Sequence, residues 1–112
     1  MRINFKTSLV YKTMNITERF LNYTKFDTQS NEDSTSVPST EKQLVFANYL
    51  KEELVREGLT DVEMDDKGYV YATLKGNTKK HVPTIGFISH YDTSPDCSGK
   101  DVKARIVENY QG

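Results

Sequence analysis

The arrangement of apolar and polar positions predicts two helices, a hairpin and one apolar strand, in that order. Asn15-Ile16-Thr17-Glu18 sets a capping side chain three positions ahead of a glutamate, the spacing at which each satisfies a free amide of a helix start. Ile16, Phe20 and Tyr23, with Leu21 beside them, carry an apolar stripe at helical spacing to about Lys25, where Asp27-Thr28-Gln29-Ser30 breaks it. Residues 29–36 contain no large apolar side chain and read as a surface loop. Pro38-Ser39-Thr40-Glu41 opens a second helix, with Thr40 and Gln43 spaced as a capping box and Gly58 placed to end it in a left-handed turn. Leu44, Ala47, Leu50 and Leu54 are its expected buried stripe, while Lys42, Lys51, Glu52, Glu53 and Arg56 read as a solvated face.

Beyond Leu59 the period becomes alternating. Val62 and Met64 interleave with Asp61, Glu63 and Asp65, Asp66-Lys67-Gly68 makes a turn, and residues 69–74 form a second strand, which together read as a hairpin. A polar turn follows over residues 75–81. Residues 82–89, Val-Pro-Thr-Ile-Gly-Phe-Ile-Ser, are compact and mostly apolar, as in strands buried on both faces, and that strand is expected to end near His90. The fold class expected is α/β: two helices, a β-hairpin and a buried strand belonging to a larger mixed sheet.

A length of 112 residues bounds the chain to one domain at most. Hydrophobic residues at 36% and charged residues at 28% place it among folding sequences, and a formal charge of -1 gives no general attraction to nucleic acid or an anionic membrane. The single cysteine, Cys97, has no internal disulfide partner, which fits a reducing, cytoplasmic setting. Residues 1–13 carry three basic side chains around a short apolar patch, neither a signal peptide nor a spanning helix; with Met14 directly ahead of the first helix signal, they read as an extension or a misplaced start.

Chemistry concentrates immediately after the apolar run, in Ser89-His90-Tyr91-Asp92-Thr93. Carboxyl ends of strands in open α/β sheets are where ligands gather, and residues two apart in an extended segment point to the same side. His90 and Asp92 therefore suit a metal-bound imidazole whose second nitrogen donates to a carboxylate. Taken alone, a histidine hydrogen-bonded to a nearby acid is the simpler account of the pair. His81 lies in a Lys79-Lys80-His81 turn and reads as a solvated group, Cys97 as a small structural residue, and Asp65-Asp66 and Asp61-Glu63 as hairpin-edge charges. Gly68, Gly76 and Gly99 lack the spacing of a phosphate loop, so nucleotide binding is not expected.

The surrounding residues change the weight of that pair. The stretch Ile85-Gly86-Phe87-Ile88-Ser89-His90-Tyr91-Asp92-Thr93-Ser94-Pro95-Asp96-Cys97-Ser98-Gly99-Lys100 resembles the first metal-ligand segment of the M20 family of zinc metallopeptidases, and its part from Ser94 onward is similar to the tripeptide-aminopeptidase group within it. Phe20-Leu21-Asn22-Tyr23, Asp27-Thr28-Gln29-Ser30, Val37-Pro38-Ser39-Thr40-Glu41 and Ile106-Val107-Glu108-Asn109-Tyr110 look like further parts of the same sequence. Tyr91 departs from the aliphatic residue that family has between its His and Asp. The resemblance implies two zinc ions, His90 ligating one of them, and Asp92 as the catalytic-site acid that orients the His90 ring. It implies tripeptides as substrates, and a full-length protein that is a possible homo-oligomer with a second domain.

The family's bridging Asp, catalytic Glu, remaining ligands and second His come later than Gly112. Residues 14–112 are therefore expected to be an incomplete, N-terminal portion of a peptidase catalytic domain, inactive alone. The alternative is a non-catalytic remnant or small module that uses its sheet edge for protein association. Since a doubly buried strand needs cover on both faces, the chain is expected to expose apolar surface and to aggregate.

Overall fold

In a computed structural model that describes residues 14–112, α1 spans Ile16–Tyr23, α2 Lys42–Arg56, β1 Thr60–Met64 and β2 Val70–Thr73. The extension read at residues 1–13 lies outside the described residues. Helix α1 starts as its sequence requires: the Glu18 amide donates to Asn15 Oδ1 at 2.9 Å, and the Asn15 amide donates to Glu18 Oε2 at 3.1 Å.

The start of α2 differs from the expected capping box. Glu41 holds the N-cap position without a side-chain cap. The Thr40 hydroxyl instead donates to the Gln29 carbonyl at 2.9 Å, and Gln43 Nε2 donates to Thr40 Oγ1 and Ser39 Oγ, each at 3.1 Å. The same residue pair thus ties the preceding loop to the helix. At the other end Gly58 adopts φ 82°, with its amide donating to the Val55 carbonyl and the Leu59 amide to the Leu54 carbonyl at 3.0 and 3.1 Å, a complete Schellman closure.

The buried face of α2 is rotated from the expected stripe. Gln43, Phe46, Ala47 and Glu53 are buried, whereas Leu44, Leu50 and Leu54 are only half-buried. Glu53, read as a solvated charge, is 3% exposed. It tolerates burial because the Tyr23 hydroxyl donates to its Oε2 and the Arg19 Nε lies 3.2 Å from its Oε1, both partners coming from α1. Phe46 collects aromatic neighbours: Tyr23 edge-on at 5.1 Å between ring centroids, Phe26 at 4.9 Å and Tyr49 stacked at 6.1 Å.

Strands β1 and β2 pair antiparallel, with Glu63 opposite Tyr71 and Met64 opposite Val70, and a register irregularity between Thr60 and Glu63 where Asp61 takes φ 53°. Val62, Met64, Val70 and Ala72 alternate with exposed neighbours, and α2 packs on both strands. The connecting turn is organised by Asp65, whose Oδ1 accepts from the amides of Lys67 and Tyr69 at 2.9 Å each. Asp65 therefore has a structural task beyond edge solubility.

The apolar run at residues 82–89 is not a strand, and the expectation of a buried one is corrected here. The sheet has two strands, and this run is exposed and irregular, with Phe87 94% exposed. A strand buried on both faces needs hydrogen-bonding neighbours and two covering layers, and neither β1 nor β2 pairs with this segment. The consequence foreseen from the sequence, exposed apolar surface, is present at Ile85, Phe87 and Ile88. A radius of gyration of 18.3 Å exceeds the roughly 13 Å of a compact chain of about 100 residues.

Two outcomes follow from this packing. Phe46→Ala is expected to lower unfolding free energy by about 3 kcal/mol in urea titrations, the loss typical of truncating a buried aromatic ring; an effect under about 1 kcal/mol would show that the aromatic cluster does not hold the elements together. Phe87→Ser with Ile88→Ser is expected to shift sedimentation from polydisperse species toward monomer without changing the circular dichroism, because the run contributes apolar surface and no core.

Candidate functional site

Segments distant in sequence meet around residues 90–95. Gln29 and Thr93 form a parallel bridge, the Thr93 amide donating to the Thr28 carbonyl at 3.1 Å and the Ser30 amide to the Thr93 carbonyl at 2.9 Å. Gln29 Nε2 adds a bond to the Pro95 carbonyl at 2.8 Å. Lys42 Nζ reaches Asp27 Oδ2 at 3.0 Å, and the Gln29 amide donates to Asp27 Oδ1 at 3.1 Å. These two donors, Lys42 foremost, hold the Asp27 carboxyl below the usual carboxylate range. Gly99 lies so close that a Cβ there would meet Asp27 Oδ1 at 2.7 Å. The loop expected over residues 29–36 is superficial from residue 31 onward, while Gln29 and Ser30 are half-buried against the 93–95 segment and Thr28, just before it, is buried.

Between these anchors sit the two residues singled out from the sequence. His90 Nδ1 lies 3.1 Å from Asp92 Oδ1 and 3.0 Å from the Asp92 carbonyl oxygen. A peptide carbonyl can only accept, so the nitrogen carries the proton and donates to both oxygens. In the neutral ring the lone pair then falls on Nε2, which has no partner among the described residues, on a side chain 85% exposed. The geometry gives an imidazole of fixed tautomer presenting one free basic nitrogen, as a metal ligand or a proton acceptor requires.

Tyr91 explains why the segment is held there. Its hydroxyl donates to the Gly68 carbonyl at 3.0 Å, and its ring meets Phe46 edge-on at 5.7 Å. Burial pushes the Tyr91 hydroxyl up, with the Asp92 and Asp65 carboxylates adding to the shift. Gly68, at φ 84°, permits this approach, since a Cβ there would stand 2.7 Å from the Tyr91 oxygen. Sequence reading marked Tyr91 as unusual but not as an anchor, and missed Phe46, Asp27 and Lys42. The departure of Tyr91 from an aliphatic residue was the one usable signal.

His90 and Asp92 stand at the rim of an open cavity of about 820 Å³ walled by Phe20, Tyr23, Phe46 and Tyr69. Phe87 and Ile88 also border it while staying exposed, so it is an uncovered apolar face, not a closed pocket. His81 and Cys97 are exposed and take no part. Among the described residues no three His, Cys, Asp or Glu side chains gather as a metal would require. The donor set thus matches one ligand position, and it does not match a whole catalytic zinc site, which takes three protein ligands and a water. No described helix is long and apolar enough to cross a membrane.

Comparison with known proteins places the chain among relatives of a peptidase. No family model matches it. It is 59% identical over 97 residues to peptidase T of Clostridium novyi, 58% identical over the same length to peptidase T of Caldanaerobacter subterraneus and 59% identical to peptidase T of Clostridium botulinum. Each match covers 87% of this chain and 24% of the relative. The chain is therefore a relative of peptidase T over nearly all of its own sequence, and spans about a quarter of the length of the proteins it matches.

The tyrosines generate a pH dependence. Burial and the Glu53 acceptor push Tyr23 up, as burial does Tyr91, so both hold their protons more tightly folded than unfolded. Their contribution is complete below the unfolded value of about 10 and is lost as pH rises through the raised folded values. Melting temperature is expected to fall as pH rises above about 10, and the Tyr23→Phe, Tyr91→Phe double variant to lose less there than the parent. Equal slopes for both proteins would contradict the assignment.

Proposed function

We propose that this chain is the N-terminal portion of the catalytic domain of an M20-type tripeptide aminopeptidase of the cytoplasm. The observation that carries the reading is the His90–Asp92 pair, with Nδ1 donating to the carboxylate and Nε2 open, inside a sequence 59% identical to a peptidase T. In this reading Nε2 of His90 binds one of two zinc ions, and Asp92 fixes the ring and strengthens the ligand. Zinc, when bound, supplies an acidified water and polarises the scissile carbonyl. Thr93, bridged to Gln29, keeps the loop after the pair against the start of α2. The general base and remaining ligands come from the other three quarters of such a polypeptide, so the 112-residue chain by itself is inactive. Substrates are tripeptides with a free amino terminus.

A second reading, a non-catalytic association module, is favoured by the exposed Ile85, Phe87 and Ile88. A chimera separates the two. Residues 14–112 replace the matching quarter of the Clostridium novyi protein, and release of the first residue from trialanine and from N-acetyl-trialanine is followed. Hydrolysis of the free tripeptide alone is expected, with loss of at least about 100-fold in His90→Ala and about 10–100-fold in Asp92→Asn. A folded, zinc-loaded chimera that leaves trialanine intact, or one indifferent to His90→Ala, overturns the peptidase reading and leaves the association module.

A further inference from the structure

The His90 ring is almost fully exposed, yet it is held by two oxygens of one residue, the carboxylate and the carbonyl of Asp92. Both bonds depend on the backbone path through residue 91. Upstream of His90 no strand pairing among the described residues fixes that path, because residues 82–89 are irregular and exposed. Downstream, Thr93 is pinned by its backbone bonds to Thr28 and Ser30. The one side chain of residues 89–92 that reaches the packed interior is Tyr91, through its hydroxyl on the Gly68 carbonyl and its ring edge on Phe46.

We propose that Tyr91 is a positioning residue for His90: by fastening the backbone between His90 and Asp92 to the hairpin turn and to α2, it fixes the Nδ1-protonated tautomer that leaves Nε2 free. An aliphatic side chain at this position fills space against Phe46 but makes no bond to Gly68. Packing alone constrains residue 91 less than packing plus a directed bond to a turn that Asp65 already holds rigid. Gly68 is part of the device, since any Cβ there meets the Tyr91 oxygen. The importance of the tautomer rests on the ligand reading of His90; its existence does not.

The test uses the 112-residue chain without metal, labelled with nitrogen-15, at a pH where both histidines are neutral. His81, exposed and without a hydrogen-bond partner among the described residues, provides an internal reference for an unconstrained ring. The His90 Nδ1 and Nε2 shifts are expected to differ clearly from those of His81, with Nδ1 protonated. Tyr91→Phe, which keeps the ring on Phe46, is expected to shrink that difference by at least half while the hairpin resonances stay in place. Unchanged His90 shifts in a folded Tyr91→Phe variant overturn the proposal. Should that variant not fold, the parent decides: a Tyr91 hydroxyl proton protected from exchange and coupled to the Gly68 carbonyl supports it, and a freely exchanging hydroxyl overturns it. The trialanine assay on the chimera separates this from the functional reading: if Tyr91→Phe loses the tautomer in the 112-residue chain while the folded, zinc-loaded chimera leaves trialanine intact, the peptidase reading fails and the positioning role stands.

Discussion

The ring of Phe46 is where otherwise separate parts of the chain meet. Tyr23 approaches it from α1, Phe26 from the connection after α1, Tyr49 from the next turn of α2 and Tyr91 from the segment after the apolar run. Apart from Ala47, it is the only apolar residue buried among those described. With so little aliphatic core, edge-on and stacked aromatic contacts, each worth about 0.5–1.5 kcal/mol beyond area burial, carry an unusual share of tertiary cohesion. The same cluster makes room for Glu53: α1 can lie against α2 only by bringing Arg19 and Tyr23 over it, and those groups supply the charge and the hydroxyl that a buried carboxylate needs.

The fate of residues 82–89 shows the limit of that cohesion. Their composition suits a strand with cover on both faces, but α2 is already engaged with β1 and β2, and among the described residues the hairpin pairs only with itself. Backbone groups of an unpaired strand gain nothing from leaving water, so the run stays solvated despite its apolar side chains. Local apolar character specifies a strand only where neighbouring strands exist to receive it.

Several local signals were legible in the sequence because they are closed within a few residues, though the Thr40–Gln43 box was not, since the Thr40 hydroxyl turns to the Gln29 carbonyl. The Asn15–Glu18 box, the Gly58 closure and the turn before Gly68 each follow from side chains three to five positions apart. The rotation of the α2 face was not legible, since it depends on which residues of α1 lie across it, and a glutamate without that knowledge reads as solvated. Asp27 with Lys42, and Gln29 with Thr93, were hidden for the same reason. His90 and Asp92 were legible as a pair because their contact spans only two positions, whereas their anchorage to Gly68 and Thr28 was not.

That division bears on how the proposed ligand is built. Ring orientation at His90 is set by a contact within three residues and by two fastenings, Tyr91 to the hairpin turn and Thr93 to the segment before α2. None of these uses the apolar run. In the proposed peptidase reading the run has a different task, placing the segment against the remaining ligands. In that reading tautomer and placement are separable, the first supplied by hydrogen bonds within the described residues and the second by strand pairing that residues 82–89 do not make there, so the ring can be ready while the site is not.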